Sequence, residues 1–271
     1  MRYGWLILLF WANEALAQSV QSRLGAQGAA LGWSNVAIRS DWSGFSNPAA
    51  FIQARSFSVG TAKEVASHLP GANRRGAFAT LGFSKSSLAF NAFQFGDEVY
   101  AEQVVSASVA HQIGITQLGL RANGLQYRAE GFGVQRAVSF DFGGLIQLGP
   151  MVSVGALITN LTQATWTTGE LLPTRLAVGV AVKPSERALA TAEIEKDLVY
   201  TTTFRGGFEY NFRERMFFRS GFQLQPQLAT AGIGYRSGVL RIDYALQYGF
   251  QLLLTHQISA HLQFQRKAKK T

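Results

Sequence analysis

Cysteine is absent from the 271 residues, proline occurs only 6 times, and Asp, Glu, Lys and Arg together make up 15% of the chain. Each scarcity excludes something. Without thiols there is no disulfide framework and no thiolate metal site, so stability must come from packing or from complete pairing of backbone groups. A charged fraction well below the ordinary ~25% leaves the chain with little to show to water. After the first residues, no run approaches the ~20 consecutive apolar positions of a membrane-crossing helix, which excludes a helical membrane protein.

What is abundant points the other way. Apolar residues reach 47%, with Gly 28, Phe 20, Tyr 8 and Trp 5, a composition that suits extended, aromatic-rich structure better than helices. The chain begins Met1-Arg2, runs through the apolar stretch Tyr3 to Trp11 and reaches Ala15-Leu16-Ala17. A basic start, a short apolar core and small residues two apart predict a secretory signal peptide over 1–17, cut after Ala17 to leave Gln18 first. No cysteine follows, which excludes a lipid-anchored lipoprotein. The mature protein is expected outside the cytoplasm.

From Arg55 onward, apolar residues return with a period of two. In Arg205 to Arg213, Gly206, Phe208, Tyr210 and Phe212 alternate with Arg205, Gly207, Glu209, Asn211 and Arg213. Leu240, Ile242, Tyr244, Leu246 and Tyr248 likewise oppose Arg241, Asp243, Ala245 and Gln247. A helix cannot use such a pattern, because its faces recur at 3.6 residues. About fourteen segments carry it: 55–62, 75–84, 87–95, 102–112, 115–127, 136–148, 151–161, 174–182, 188–196, 204–213, 216–225, 228–235, 239–248 and 252–264. Most approach the ~9–11 residues of a tilted membrane-crossing strand.

Every second link is tight, near Lys85-Ser86, Gly114, Gly149-Pro150, Pro184-Ser185, Glu214-Arg215 and Ser237-Gly238. Longer links, such as 63–74 and 162–173, lie between them. Short turns at one rim and longer loops at the other are the pattern of an outer-membrane barrel, and an even strand count returns the C-terminus to the periplasmic side. A soluble sandwich or lipocalin-like barrel also alternates with period two, and alternation does not say which face is wet. Secretion, low charge and aromatic residues near strand ends (Trp166, Tyr200, Phe217, Tyr235 and Tyr248) favour the membrane barrel, with those aromatics as interface girdles. The expected fold is all-β, a transmembrane antiparallel β-barrel of about fourteen strands over 55–264.

The segment 18–54 reads differently. Gly25, Gly28 and Gly32 punctuate a run of small residues that leads to Asp41-Trp42-Ser43-Gly44-Phe45-Ser46-Asn47-Pro48-Ala49-Ala50. Asn47 can cap a helix whose first position is Pro48, since proline there loses no useful N–H. The segment is expected to hold a short helix and to sit in the lumen as a hatch, with Gly25, Gly28, Gly32, Asp41, Asn47 and Pro48 as its structural residues. Residues 265–271 form a basic tail expected in the periplasm, like the N-terminus.

The run from Gly25 through Asn47-Pro48-Ala49-Ala50 resembles the N-terminal signature of PorV/PorQ-like proteins of Bacteroidota, within the FadL-type outer-membrane barrel group. Leu240-Arg241-Ile242-Asp243-Tyr244-Ala245 and Leu254-Thr255-His256-Gln257-Ile258-Ser259 resemble that family's last two strands. The resemblance implies a fourteen-strand barrel with a luminal N-terminal segment, and two functions. PorV-like relatives assist a protein-export (type IX secretion) machine, and FadL-like relatives admit hydrophobic small molecules. The chain is short for the family, which implies short outer loops and favours an accessory subunit of a larger outer-membrane complex; the alternative is a passive channel for small hydrophobic ligands.

Catalysis and cofactors find no footing. His256 and Ser259 lie three apart on a strand and so face opposite sides. His68, His111 and His261 show no metal-ligand spacing with acidic partners, and Asp41 and Asp243 read as luminal or turn polar groups. No enzyme activity, metal or cofactor is expected. The net charge of +9 is spread over strands and turns apart from Arg266-Lys267-Ala268-Lys269-Lys270, so nucleic acid is not an expected partner, whereas outer-membrane lipid is.

Overall fold

The computed structural model describes residues 22–51, 56–69, 71–131, 133–198, 201–249 and 253–265. The expected signal peptide, Tyr200 and the tail beyond Gln265 lie outside the described residues. Fourteen strands succeed one another: β1 (Ser56–Ala66), β2 (Arg74–Gly82), β3 (Ser86–Gly96), β4 (Tyr100–Ile113), β5 (Thr116–Ala129), β6 (Gly133–Gln147), β7 (Val152–Thr159), β8 (Arg175–Ser185), β9 (Ala188–Asp197), β10 (Thr203–Phe212), β11 (Met216–Gln223), β12 (Leu228–Ser237), β13 (Leu240–Gly249) and β14 (Leu253–Gln265). Each pairs antiparallel with its neighbours in sequence. β1 also pairs with β14, from Ser56↔Gln265 to Ala66↔Thr255, and the barrel is closed. Closure leaves no strand edge, the condition that hydrocarbon sets on a backbone within it.

The structure decides which face is wet. On β5, Gln117, Gly119, Arg121 and Asn123 are buried inside the barrel, while Leu118 and Leu120 point outward and are exposed. On β10, Arg205 is buried and Phe204, Phe208, Tyr210 and Phe212 are exposed. A water-soluble barrel would reverse this arrangement. Apolar residues outside and polar residues inside are stable only where the outer solvent is lipid.

Two expectations need correction. Trp166 and Phe217 do not join an outward girdle: they are 6% and 4% exposed and face the interior, while Tyr235 and Tyr248 do face outward at 48% and 51%. Phe217 neighbours the outward Phe218 on the same strand, and adjacent strand residues cannot share a face. Trp166 sits on the link 160–174, where its ring meets that of Tyr127 edge-on at 4.8 Å between centroids. The links expected at 96–101 and 128–135 are shorter than the segment bounds implied, because β4, β5 and β6 extend to 14, 14 and 15 residues, whereas the link expected at 162–173 is longer and spans 160–174. Links 67–73 and 160–174 are the substantial ones among the described residues.

Segment 22–51 lies inside the barrel. Helix α1 (Ala26–Ala30) and a 3-10 turn (Asp41–Phe45) are its regular elements. The helix expected from Asn47-Pro48 is absent over 48–51. Asn47 does use its side chain as a cap, its Oδ1 accepting the Ala49 N–H at 2.9 Å, but only a single turn comes after it. The short helix stands instead in the glycine-rich run, where Gly25 enters it at φ 116° and Gly32 leaves it at φ 63°.

Candidate functional site

The site is the plugged lumen, and it is built by glycine. Where segment 22–51 touches the wall, the wall residue often has no side chain. A Cβ on Gly232 would come within 2.5 Å of Ala30 Cβ, on Gly207 within 2.7 Å of the Leu31 carbonyl oxygen, and on Gly76 within 2.8 Å of Leu24 Cδ2. Gly119 and Gly143 leave the room that Pro48 and Asn47 occupy, and Gly155 leaves room for the Val36 carbonyl. The fit is mutual. Gly32 lies so close to β11 that a Cβ there would stand 2.5 Å from the Phe222 carbonyl oxygen, and its positive φ already disfavours a side chain.

Hydrogen bonds fasten what the glycines admit. The Ala26 N–H donates to Ser259 Oγ at 3.2 Å, Thr230 Oγ1 donates to the Ala30 carbonyl at 2.9 Å, and the Trp33 indole donates to Gln247 Oε1 at 3.0 Å. One carboxylate oxygen of Glu193 accepts the backbone N–H groups of both Asn35 and Val36 at 2.9 Å. The Asn47 side-chain amide donates to the Val36 carbonyl at 2.7 Å and to Gly144 of β6 at 3.0 Å. Such bonds satisfy buried backbone groups that a helix or sheet would otherwise have paired.

Of the residues that the sequence singled out, Gly25, Gly28 and Gly32 bracket or form α1, and Asn47 and Pro48 join the plug to β5 and β6. A side chain on Gly25 would strike the Trp42 ring, and one on Gly28 the Asn35 amide. Asp41 opens the 3-10 turn, 3.3 Å from His261 Nε2 of β14. His256 and Ser259 are indeed apart: the Tyr244 hydroxyl meets His256 Nδ1 at 2.6 Å outside, while Ser259 faces the plug. Among the described residues no group of three or more His, Asp or Glu could hold a metal ion.

Sequence reading missed the ion pairs of the lumen. Glu64–Arg74, Arg121–Asp141, Arg175–Asp197, Glu193–Arg205 and Glu209–Arg219 are each directly opposite partners on adjacent strands. Their closest N–O distances run from 2.6 to 3.3 Å. Cross-strand neighbours of opposite charge stabilise a sheet, and burial makes each partner dependent on the other. Arg205 also reaches Glu195 at 2.9 Å, and the same Glu195 meets Arg23 of the plug. Burial lowers the Arg23 guanidinium to about 10, with Arg205 adding to the shift and Glu195 and Glu193 opposing it, so Arg23 stays cationic at neutral pH. The plug is therefore held to the wall by charge as well as by shape.

Between plug and wall remains a cavity of about 100 Å³. Val36 and Phe45 of the plug and Val104, Leu125, Leu157 and Leu172 supply its apolar lining, with the Arg121–Asp141 pair and Glu193 beside them. The link 160–174 contributes Leu172 and Pro173, held by Asn160, whose side-chain amide donates to the Leu172 carbonyl at 2.9 Å. Trp42, Phe45, Phe78, Phe93 and Val104 form a continuous buried cluster next to it. Arg23, Arg175 and Glu195 line it too, so a small molecule there would meet apolar side chains on one side and fixed charges on the other.

No protein-family model and no curated protein matches the chain. Solved structures do. The toluene transporter TodX of Pseudomonas putida aligns over 90% of this chain and 99% of its own at 13% identity, with a TM-score of 0.65. A FadL homologue of Pseudomonas aeruginosa aligns over 89% of this chain and 98% of its own at 11% identity, with a TM-score of 0.63. A TodX variant described as a monoaromatic hydrocarbon channel aligns over 88% of this chain and 97% of its own at 14% identity, with a TM-score of 0.59. At these identities the shared property is the fold, the closed fourteen-strand barrel of the FadL and TodX structures.

Proposed function

We propose that the protein is a noncatalytic outer-membrane channel of FadL type that passes small apolar molecules, with both ends of the chain in the periplasm. The observation that carries this reading is the cavity left between a luminal plug and a wall whose fold is that of hydrocarbon-channel structures, with Phe45, Val104 and Leu125 on its apolar side. The periplasmic ends are supported by the even strand count: the start of β1 and the end of β14 pair at the rim of the tight turns, where Phe57 stands opposite Phe264. Segment 22–51 is then a hatch between periplasm and lumen, following a secretory leader cut after Ala17.

Membership in the PorV/PorQ-like family and an accessory role in type IX secretion gain no support from the matched structures, which are channels and transporters. A larger membrane complex has no observation in its favour either. The channel reading is tested by uptake of labelled toluene into cells with and without the protein. Uptake is expected to be faster and saturable with it, and Leu125→Trp, which fills the cavity, is expected to return the rate to that of the deletion strain at unchanged protein level. Equal rates with and without the wild-type protein would refute it.

A further inference from the structure

One ladder of outward-facing residues departs from the apolar rule. Lys63 of β1 stands opposite Arg75 of β2, Arg75 opposite Gln94 of β3, Gln94 opposite Gln103 of β4, Gln103 opposite Gln126 of β5, and Gln126 opposite Arg136 of β6. All six share the lipid-facing side of the wall, since the residues flanking them along each strand point into the lumen. Followed the other way from Lys63, the same ladder reads Ile258, Tyr244, Ile233, Phe218 and Tyr210. Strand tilt explains where the change falls. Phe218 lies close to the tight-turn rim, whereas Arg75 and Arg136 lie close to the opposite one, so the polar half occupies the upper edge of the apolar band.

The row is organised. Gln94 Oε1 accepts from Nε and Nη2 of Arg75 at 3.2 and 2.9 Å, and Gln126 Oε1 accepts from Arg136 Nε at 3.0 Å. Arg128, one outward position further up β5, donates to the Glu98 carbonyl at 2.9 Å. Arg75 and Arg136 are thus laid along the wall by amides. Lys63, Arg74, Arg75, Gln94, Gln103, Gln126 and Arg128 line a concave space of about 470 Å³ together with Asp97 and Glu98. The Asp97 carboxylate is engaged in its own turn, accepting the Val99 and Tyr100 N–H groups at 2.9 and 3.1 Å.

We infer that this face binds a doubly phosphorylated glycolipid of the outer leaflet. Its cations form two groups, Lys63 with Arg75 and Arg128 with Arg136. The amides of Gln94 and Gln103 lie between them. At about 4.8 Å per strand, three to five strand steps separate members of the two groups by roughly 14–24 Å. Charge-assisted bonds from guanidinium and ammonium groups suit phosphate, and side-chain amides suit sugar hydroxyls. Lipid is the occupant because the row borders the apolar surface, where acyl chains continue the headgroup downward. The inference rests on the tight-turn rim being periplasmic, and on nothing about what passes the lumen.

The test uses the purified protein in detergent with lipid A as probe and native mass spectrometry as readout. Wild type is expected to retain lipid A, and changing Lys63, Arg75, Arg128 and Arg136 together to Gln should weaken retention by about a hundredfold. Each double variant, Lys63→Gln with Arg75→Gln or Arg128→Gln with Arg136→Gln, should weaken it by about tenfold, which keeps the test sound if the quadruple variant does not fold. Lipid A stripped of its phosphates should bind as poorly to wild type. Retention unchanged in folded double variants, or equal displacement by phosphatidylglycerol, would overturn the inference. Toluene uptake by the variants should stay at the wild-type rate, so failure of the channel reading would show in uptake and leave lipid binding untouched.

Discussion

On strand β5, Gly119 and Gly124 are five residues apart and face opposite solvents. A side chain on Gly119 would collide with the Pro48 backbone of the plug, while one on Gly124 would meet nothing nearer than Val105 Cγ2 at 3.6 Å. The same division holds around the barrel: inward positions carry glycines fitted to the plug and cross-strand ion pairs, and outward positions, apart from the polar row from Lys63 to Arg136, carry mostly apolar side chains. The inner face is specified residue by residue. The outer face needs only to be apolar, because lipid chains adapt to whatever shape they meet.

Substitutions should reveal that asymmetry. Gly119→Val places bulk against backbone that cannot yield, and the expected result is loss of the folded, heat-modifiable band on electrophoresis, well beyond ordinary overpacking. Arg205→Ala leaves the buried Glu193 without its cationic partner and Glu195 with Arg23 alone, and should lower unfolding free energy by about 3 kcal/mol in urea titrations of the reconstituted protein. Val105→Arg puts a charge on the exposed lipid side of β4 and should cost about 2–4 kcal/mol if that position lies at mid-bilayer. Gly124→Ala should change stability by less than about 0.5 kcal/mol by the same titration. A large effect at Gly124, or a mild one at Gly119, would break the distinction between the two faces.

The strands were legible because period two is a local signal, and β9 matches its expected segment to within one residue at either end. Which face was wet was not legible in the alternation itself, which is symmetric; low charge, aromatic content and the secretory leader were what pointed to lipid outside. Phe217 could have been placed: it shares its parity with Arg219, whose guanidinium lies 5.3 Å from the ring centroid. Trp166 could not, because a link has no period. The Asn47 cap was visible in the sequence, but the path of the chain beyond it is set by Gly119 and Gly143, residues far along the chain. The ion pairs needed one further step. Once neighbouring strands are set in register, Arg121 faces Asp141 and Arg205 faces Glu193, and opposite charges fall together.

The attachments of the plug bear on how the barrel comes together. Ala26 is fastened to Ser259 across 233 residues of chain, Ala30 to Thr230 across 200, and Arg23 to Glu195 across 172. Contacts so distant in sequence form only after the intervening chain has been ordered, which makes them late and slow. The first part of the described chain to leave the ribosome therefore has to stay unattached, in reach but uncommitted, until the last strands curl round it. Order of synthesis and order of fastening run in opposite directions, so assembly favours a leading segment of small residues that can form its one short helix locally and be fastened last, as the run from Gly25 to Gly32 can.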